Sequence, residues 1–247
     1  MTRLRRLRQS GALKLVFPRS HGPDAEVVLV NTAGGITGGD RFCLTIEMQA
    51  RAQLTLTTQA AERAYHAQPG EDGRYRSQIT VGPQAALRWL PQELILFEGS
   101  SLRRQLEISL AEGAQLLMVE PIVFGRVAMP EELRNIRFED RIRVLRAGQP
   151  LYLDGLTLTG DATAHLAQAA VAEGAGALAS VVFVAPEAER LLADVRAMLP
   201  RQGGASLIAP DVLVVRLLAA DSYVLRQHLC PLLRRLSGRD LPISWRV

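Results

Sequence analysis

The residues best equipped for chemistry are concentrated in one stretch, Asn31-Thr32-Ala33-Gly34-Gly35-Ile36-Thr37-Gly38-Gly39-Asp40. An apolar run from Val27 to Val30 precedes it and reads as a strand. A strand followed by a glycine loop can present backbone amides to a phosphate. Both phosphate-binding fingerprints, however, need a helix next, with its N-terminus facing the anion. Here Phe42, Leu44, Ile46 and Met48 alternate with Cys43, Thr45 and Glu47, so the spacing predicts a second strand. Neither Gly-Lys-Ser/Thr nor G-x-G-x-x-G occurs, which argues against a nucleotide site. One reading is a wide connection between antiparallel strands, with glycines in backbone angles closed to other residues. The other is a contact surface or the lining of a hydrated path, because four glycines, two threonines, an asparagine and an aspartate fall within ten residues.

Other catalytic constellations are missing. No G-x-S-x-G, S-x-x-K, H-E-x-x-H or kinase signature is present. The four histidines are His21, His66, His165 and His228, and only His228 lies close to a cysteine, Cys230. Two residues apart on a helix, these two side chains point to different sides, so packing and a surface imidazole are expected and not a metal site. Cys43 and Cys230 stand far apart without a C-x-x-C, and reduced thiols are the default. A hydrolase using carboxylates such as Glu93 and Glu120 on a β scaffold is the first competing reading, although no spacing supports it.

The elements that position these residues are mostly strands. Leu54 and Leu56 alternate with polar neighbours, as do Leu106, Ile108 and Leu110, and Ile142 and Val144. Gly34-Gly35, Gly38-Gly39-Asp40, Pro69-Gly70, Gly82-Pro83, Glu112-Gly113 and Gly148 punctuate them. The pattern predicts a large, mainly β fold of many strands, mostly antiparallel, with a β-helix-like arrangement as its variant. No fixed-period repeat is evident, so sequence alone does not support a regular solenoid.

The last third changes character. Pro186 to Leu199 carries Leu191, Leu192, Val195, Met198 and Leu199 at helical spacing, closed by Pro200. A second helix is expected from Asp221 or Ser222 through Leu236, kinked or broken at Pro231. Ser206–Ile208 and Val212–Leu218 read as buried strands, and Ala162–Gly176 as either a helix or a loose crossover. One domain over residues 1–247, with a helical part about 186–237, is the expected organisation.

Composition bounds the rest. Among 247 residues 48% are hydrophobic and 22% charged, enough for a sizeable core. The net charge of +4 comes almost wholly from arginines interspersed with acids, Lys14 being the sole lysine. Beyond Arg3, Arg5, Arg6 and Arg8 there is no basic block, which weighs against an arginine-driven nucleic-acid module, the second competing reading. No stretch reaches the roughly 18 apolar residues that span a bilayer, and a cytoplasmic protein without membrane contact is expected.

Four motifs in register carry a resemblance. The loop N-T-A-G-G-x-T-G-G-D is joined by Thr58-Gln59-Ala60-Ala61-Glu62 with Tyr65, and by Trp89-Leu90-Pro91-Gln92-Glu93 with Ile95 and Phe97. Glu120-Pro121 with Gly125-Arg126 follows, and Arg216 and Trp245 fit the ending. Together they resemble the urease accessory protein D family, also called the H family, over essentially the whole chain from about Leu7. The sequence departs from the family pattern in Arg63 and His66, in Met129-Pro130-Glu131, and in a short N-terminus, as though an initial strand were missing.

The resemblance implies a role without catalysis: joining accessory proteins F and G to apo-urease and helping nickel reach the urease active site. It implies no tightly bound cofactor, only transient nickel(II) passage. Nickel binds N, O and S donors well, so a path rich in strong donors would trap it. Asp40, Glu62, Glu93 and Glu120 lie within the matching motifs and are the expected lining of a polar passage, with the loop residues Asn31, Thr32, Gly34, Gly35, Thr37, Gly38 and Gly39. A stable interface needs roughly 800 Å² per side with apolar anchors. Leu225, Leu229, Leu232 and Leu233 could supply these, with Arg226, Arg234, Arg235 and Arg239 as a polar rim, although packing on the chain's own sheet competes for the leucines. Deletion after Ala220 is then expected to abolish binding to protein F.

Overall fold

A computed structural model describes residues 2–19, 24–126, 129 and 131–246. His21 and Pro130, and with Pro130 the family departure at that turn, lie outside the described residues.

The chain winds as a β-coil. Its first turn is β2 (Ala25–Asn31) and β3 (Arg41–Met48); its second is β4 (Gln53–Thr58), β5 (Glu62–Ala64) and β6 (Gly73–Val81). The third is β7 (Ala86–Leu90), β8 (Leu94–Leu96) and β9 (Ser101–Leu110), and the fourth is β10 (Gln115–Phe124) and β11 (Ile136–Arg146). From β2 to β11 every pairing between these strands is parallel, each strand lying on its counterpart one turn back. The expectation of mostly antiparallel pairing is corrected here. Period-two alternation reports which face is buried, not the direction of the neighbouring strand.

The mainly β architecture, its β-helix-like form and the C-terminal helices agree with expectation. The coil lacks a fixed period. Leu94 pairs with Ile122, 28 residues on, whereas Ser101 pairs with Arg137, 36 residues on. That variation hides the repeat from sequence.

Antiparallel strands flank the coil. β1 (Leu13–Val16) borders β2 at one edge, and β12 (Gln149–Gly160) pairs with β11. Beyond β10 come β13 (Ala177–Val184), β15 (Val212–Ala219) and β14 (Gly203–Ala209). Sheet one therefore runs β1-β2-β4-β7-β10-β13-β15-β14, and sheet two runs β12-β11-β9-β6-β3.

The two sheets enclose an apolar core containing Leu56, Leu87, Leu116, Ile79, Ile108 and Val144. On the outer face of sheet one lie α2 (Ala188–Met198) and α3 (Ser222–Ser237), whose Leu191, Val195, Leu225 and Leu229 pack on Val119, Val181 and Val215. Covered on both faces, β13 is buried at every residue. Its continuous run Ala177–Val184 is the strand that alternation cannot find. The Ala162–Gly176 segment opens with the short helix α1 (Ala162–Leu166), capped by Asp161, and continues in turns.

Pro231 does not break α3, contrary to the expected interruption. It sits on the exposed face, and Gln227, whose carbonyl loses its i+4 donor, is also exposed, so solvent can serve that group. Asp221 caps the start through Val224 N at 2.8 Å, and Gly238 ends the helix at φ +62°. Among the described residues no helix is long and apolar enough to cross a membrane.

Candidate functional site

The glycine loop joins β2 to β3 within the coil and is followed by a strand, as its spacing predicts. Ile36 at its centre is buried and bridges Ala64 in parallel, with Ile36 N donating to Arg63 O at 2.7 Å and Tyr65 N to Ile36 O at 2.8 Å. Gly35 lies beneath the Tyr65 ring, where a Cβ would stand 2.2 Å from Tyr65 Cε2 and 2.9 Å from Arg63 O. Gly34 and Gly39 take φ of +79° and +82°. Asp40 closes the loop on itself, accepting from Thr37 N at 2.9 Å. Thr37 Oγ1 donates to His66 O at 2.8 Å, and Thr32 Oγ1 to Ala12 O at 2.9 Å.

Beside this loop a cavity of about 180 Å³ enters the space between the sheets. Exposed Gly34, Gln59, Ala60 and Arg63 rim it, and Glu62 stands just inside. Asn31 Nδ2 donates to both Glu62 carboxylate oxygens at 3.1 Å and to Gly35 O at 2.9 Å, fixing the loop to the cavity mouth. Burial raises the Glu62 pKa above the ordinary carboxylate value, and the Asn31 hydrogen bond only partly offsets this.

The inner end is charged. Glu120, 4% exposed, accepts from Trp89 Nε1 at 2.5 Å and pairs with Arg104 at 2.6 Å. Arg104 also holds Asp140 through two bonds, at 2.9 and 2.6 Å. Burial opposes the Arg104 charge, but Asp140 and then Glu120 outweigh it and raise the guanidinium pKa. Burial likewise raises Glu120, with Arg104 pulling the other way. Tyr75, partly buried near both glutamates, is raised for the same first reason.

Strand register explains this polar layer. Tyr75, Arg104 and Asp140 sit side by side across sheet two. Glu120, Ser180 and Arg216 form the matching row across sheet one. A second, smaller cavity of about 10 Å³ shares Glu120 with the first and continues past Asp140, Ser180 and Asp154 to exposed Gly155 and Arg216. Arg216 pairs with Asp154, whose carboxylate also accepts from Tyr152 OH at 2.9 Å. Burial and that neighbouring charge push the Tyr152 pKa up to about 12.

Of the four carboxylates expected to line a passage, Glu62 and Glu120 face the cavity. Asp40 serves its own turn. Glu93 is bound by Arg226 of α3 at 2.5 and 2.8 Å and fastens β8 to that helix. Glu93 and Glu120 therefore do not form a catalytic pair. Arg226 also lies 5.2 Å over the ring of Trp245, whose Nε1 donates to Leu90 O at 2.9 Å. Arg88 and Arg146 are similarly held by Asp24 and Asp211. Among the described residues no three His, Cys, Asp or Glu side chains converge on a metal site.

The expected anchors Leu225, Leu229, Leu232 and Leu233 are at most 1% exposed, committed to the core under α3. In this conformation they offer no surface to a partner. Arg235 pairs with Asp194 on α2 at 2.5 Å, and Arg234 is exposed.

Arg104, Asp140 and Tyr75 are absent from the sequence-derived site, although the signal was there. Arg104 shares parity with Leu102, Leu106 and Ile108, Asp140 with Phe138 and Ile142, and Tyr75 with Ile79 and Val81, so each is a polar residue at an inward position.

The UreD urease accessory protein family matches residues 1–244. The chain belongs to the UreD urease accessory protein family. Urease accessory protein UreD of Ruegeria pomeroyi is 51% identical over 244 residues, covering 99% of this chain and 95% of that protein. The Roseobacter denitrificans UreD is 49% identical over 241 residues, 98% and 88% of the two chains. Urease accessory protein UreD 1 of Brucella abortus is 43% identical over 250 residues, 100% and 89%. UreD proteins are accessory proteins and not enzymes, which removes the hydrolase reading. Each of the four motifs that carry the family resemblance contributes to the cavity lining, through Asn31, Glu62, Trp89 and Glu120. Tyr65 packs edge-on to Phe97 at 5.1 Å, and Arg126 lies 4.7 Å over the same Phe97 ring.

Proposed function

We propose that this UreD-family chain works in the cytoplasm as a scaffold for urease maturation, joining accessory proteins F and G to apo-urease. In this reading it has no resident cofactor and gives nickel(II) a sheltered route between its two sheets. The observation that carries the route is that Glu120 lines two cavities, the larger also lined by Glu62 and the smaller by Arg216.

The chemistry suits a cargo that must move on. Glu62 offers carboxylate oxygen already engaged by Asn31, while hydroxyls of Tyr75 and Ser77 line the wall beyond it. Such ligands, few and weakly basic, exchange a first-row divalent ion instead of retaining it. The raised pKa of Glu62 adds proton competition at the entrance.

The test is nickel-dependent urease activation with Glu62→Gln and Glu120→Gln chains, alongside co-purification with F, G and apo-urease. Slower activation with the complex intact is expected. Normal activation by both folded variants ends the route. For docking, charge reversal at exposed Arg234 replaces deletion of α3 as the probe. Weakened co-purification with protein F is expected, and unchanged binding removes that face from consideration.

A further inference from the structure

We propose that Arg104 is a displaceable plug in the interior of this protein, the residue that a divalent cation must move to cross from the larger cavity to the smaller. The inference rests on the passage reading above and deepens it. Its basis is register and contact. The larger cavity is lined by Arg104 and Glu120, and the smaller by Glu120 and Asp140. Arg104 NH1 holds Glu120 at 2.6 Å while its Nε and NH2 hold Asp140, so one guanidinium stands between the carboxylates on either side of the junction.

Charge makes this position consequential. Glu120, Asp140 and Arg104 together carry one net negative charge in a buried layer, and both carboxylates are 5% exposed at the side chain. A divalent ion neutralises the two carboxylates only if the guanidinium turns out of the layer with its own charge, and the larger cavity, lined by both Arg104 and Glu62, gives it a carboxylate to turn towards. Uncovered, the two carboxylates would attract a cation strongly in this low-dielectric setting. The arginine therefore does two things. It blocks the junction while no ion is present, and it displaces the ion afterwards by returning to its carboxylates. A planar fork that bonds both groups at once is needed, and lysine, a point charge, cannot reproduce it.

The experiment compares the full-length wild type, R104Q and R104K. It measures nickel retained after equilibrium dialysis, urease activation at limiting nickel, and thermal melting. R104Q is expected to bind nickel roughly tenfold more tightly than wild type or better, and to activate urease more slowly. Adding D140N removes one of the two uncovered carboxylates and should return retention to the wild-type level. R104K keeps a charge but holds the carboxylates less firmly, so retention should stay near wild type while activation at limiting nickel speeds up. A purely structural arginine would alter melting in these variants without changing retained metal.

Folded R104Q that retains no more nickel than wild type overturns the plug. Should R104Q fail to fold, R104K decides, and activation no faster than wild type overturns it. Glu62→Gln separates this outcome from failure of the route itself. Slowed activation in Glu62→Gln with unchanged behaviour at Arg104 removes only the plug.

Discussion

Close approach at single residues sets the cavity mouth. Gly35 has room for hydrogen alone, since a Cβ would meet both the Tyr65 ring and the Arg63 carbonyl. The ring can swing aside, but the backbone carbonyl cannot do so cheaply. Gly35→Ala is expected to lower stability by about 1–3 kcal/mol, read as a fall in melting temperature, and to increase the exposure of Tyr65. Glu62 gives a pH-dependent prediction. Its folded pKa lies above the unfolded value, so the native state binds the extra proton and stability from this group declines as pH rises through the folded pKa. Glu62→Gln removes that penalty. The melting temperature of wild type relative to Glu62→Gln should rise as pH falls from neutrality towards the ordinary carboxylate range, and a pH-independent difference would contradict the burial argument. The carboxylates illustrate what sequence could carry. Motif membership groups Glu62 and Glu120, which line the cavity, with Asp40 and Glu93, which do not, because each pairs with groups distant in the chain or within its own turn.

The C-terminal helix is the element whose role changes most between pattern and packing. Helical periodicity over Leu225–Leu236 was legible, and its amphipathic face was real. Which surface that face covers was not, because a leucine stripe fits a partner or the chain's own sheet equally well. The structure commits it to Val119, Val181 and Val215. Leu229→Ala should therefore cost about 2–5 kcal/mol, seen as a lower denaturation midpoint, while Arg234→Glu should leave the midpoint nearly unchanged. Pro231 lies on the outer face of the same helix. Pro231→Ala restores a backbone donor to Gln227 O and should raise the melting temperature, a result that calorimetry can check.

Over the whole molecule, coil and helices depend on one another. Sheet one has the inter-sheet core on one side and the helical layer on the other, so removal of residues after Ala220 uncovers Val119, Val181 and Val215 together. The truncated chain is expected to aggregate instead of persisting as a folded protein that merely fails to bind. A soluble truncated chain with a cooperative melting transition would show that α3 is dispensable for folding. The coil also explains how charge reaches the interior. Parallel stacking places equivalent positions of successive turns side by side, so Tyr75, Arg104 and Asp140 accumulate into one polar row facing Glu120, Ser180 and Arg216.

Sequence alone determined that the chain is mainly β with helices near its end, that a strand and not a helix follows the glycine loop, and which family its motifs resemble. These are local properties, written in period-two alternation, proline and glycine placement, and short contiguous patterns. Strand direction, the fate of the α3 leucines and the meeting of Arg104 with Glu120 and Asp140 belonged to tertiary structure. Each depends on which distant segments become neighbours, and coil turns of unequal length leave no fixed spacing from which those neighbours can be counted.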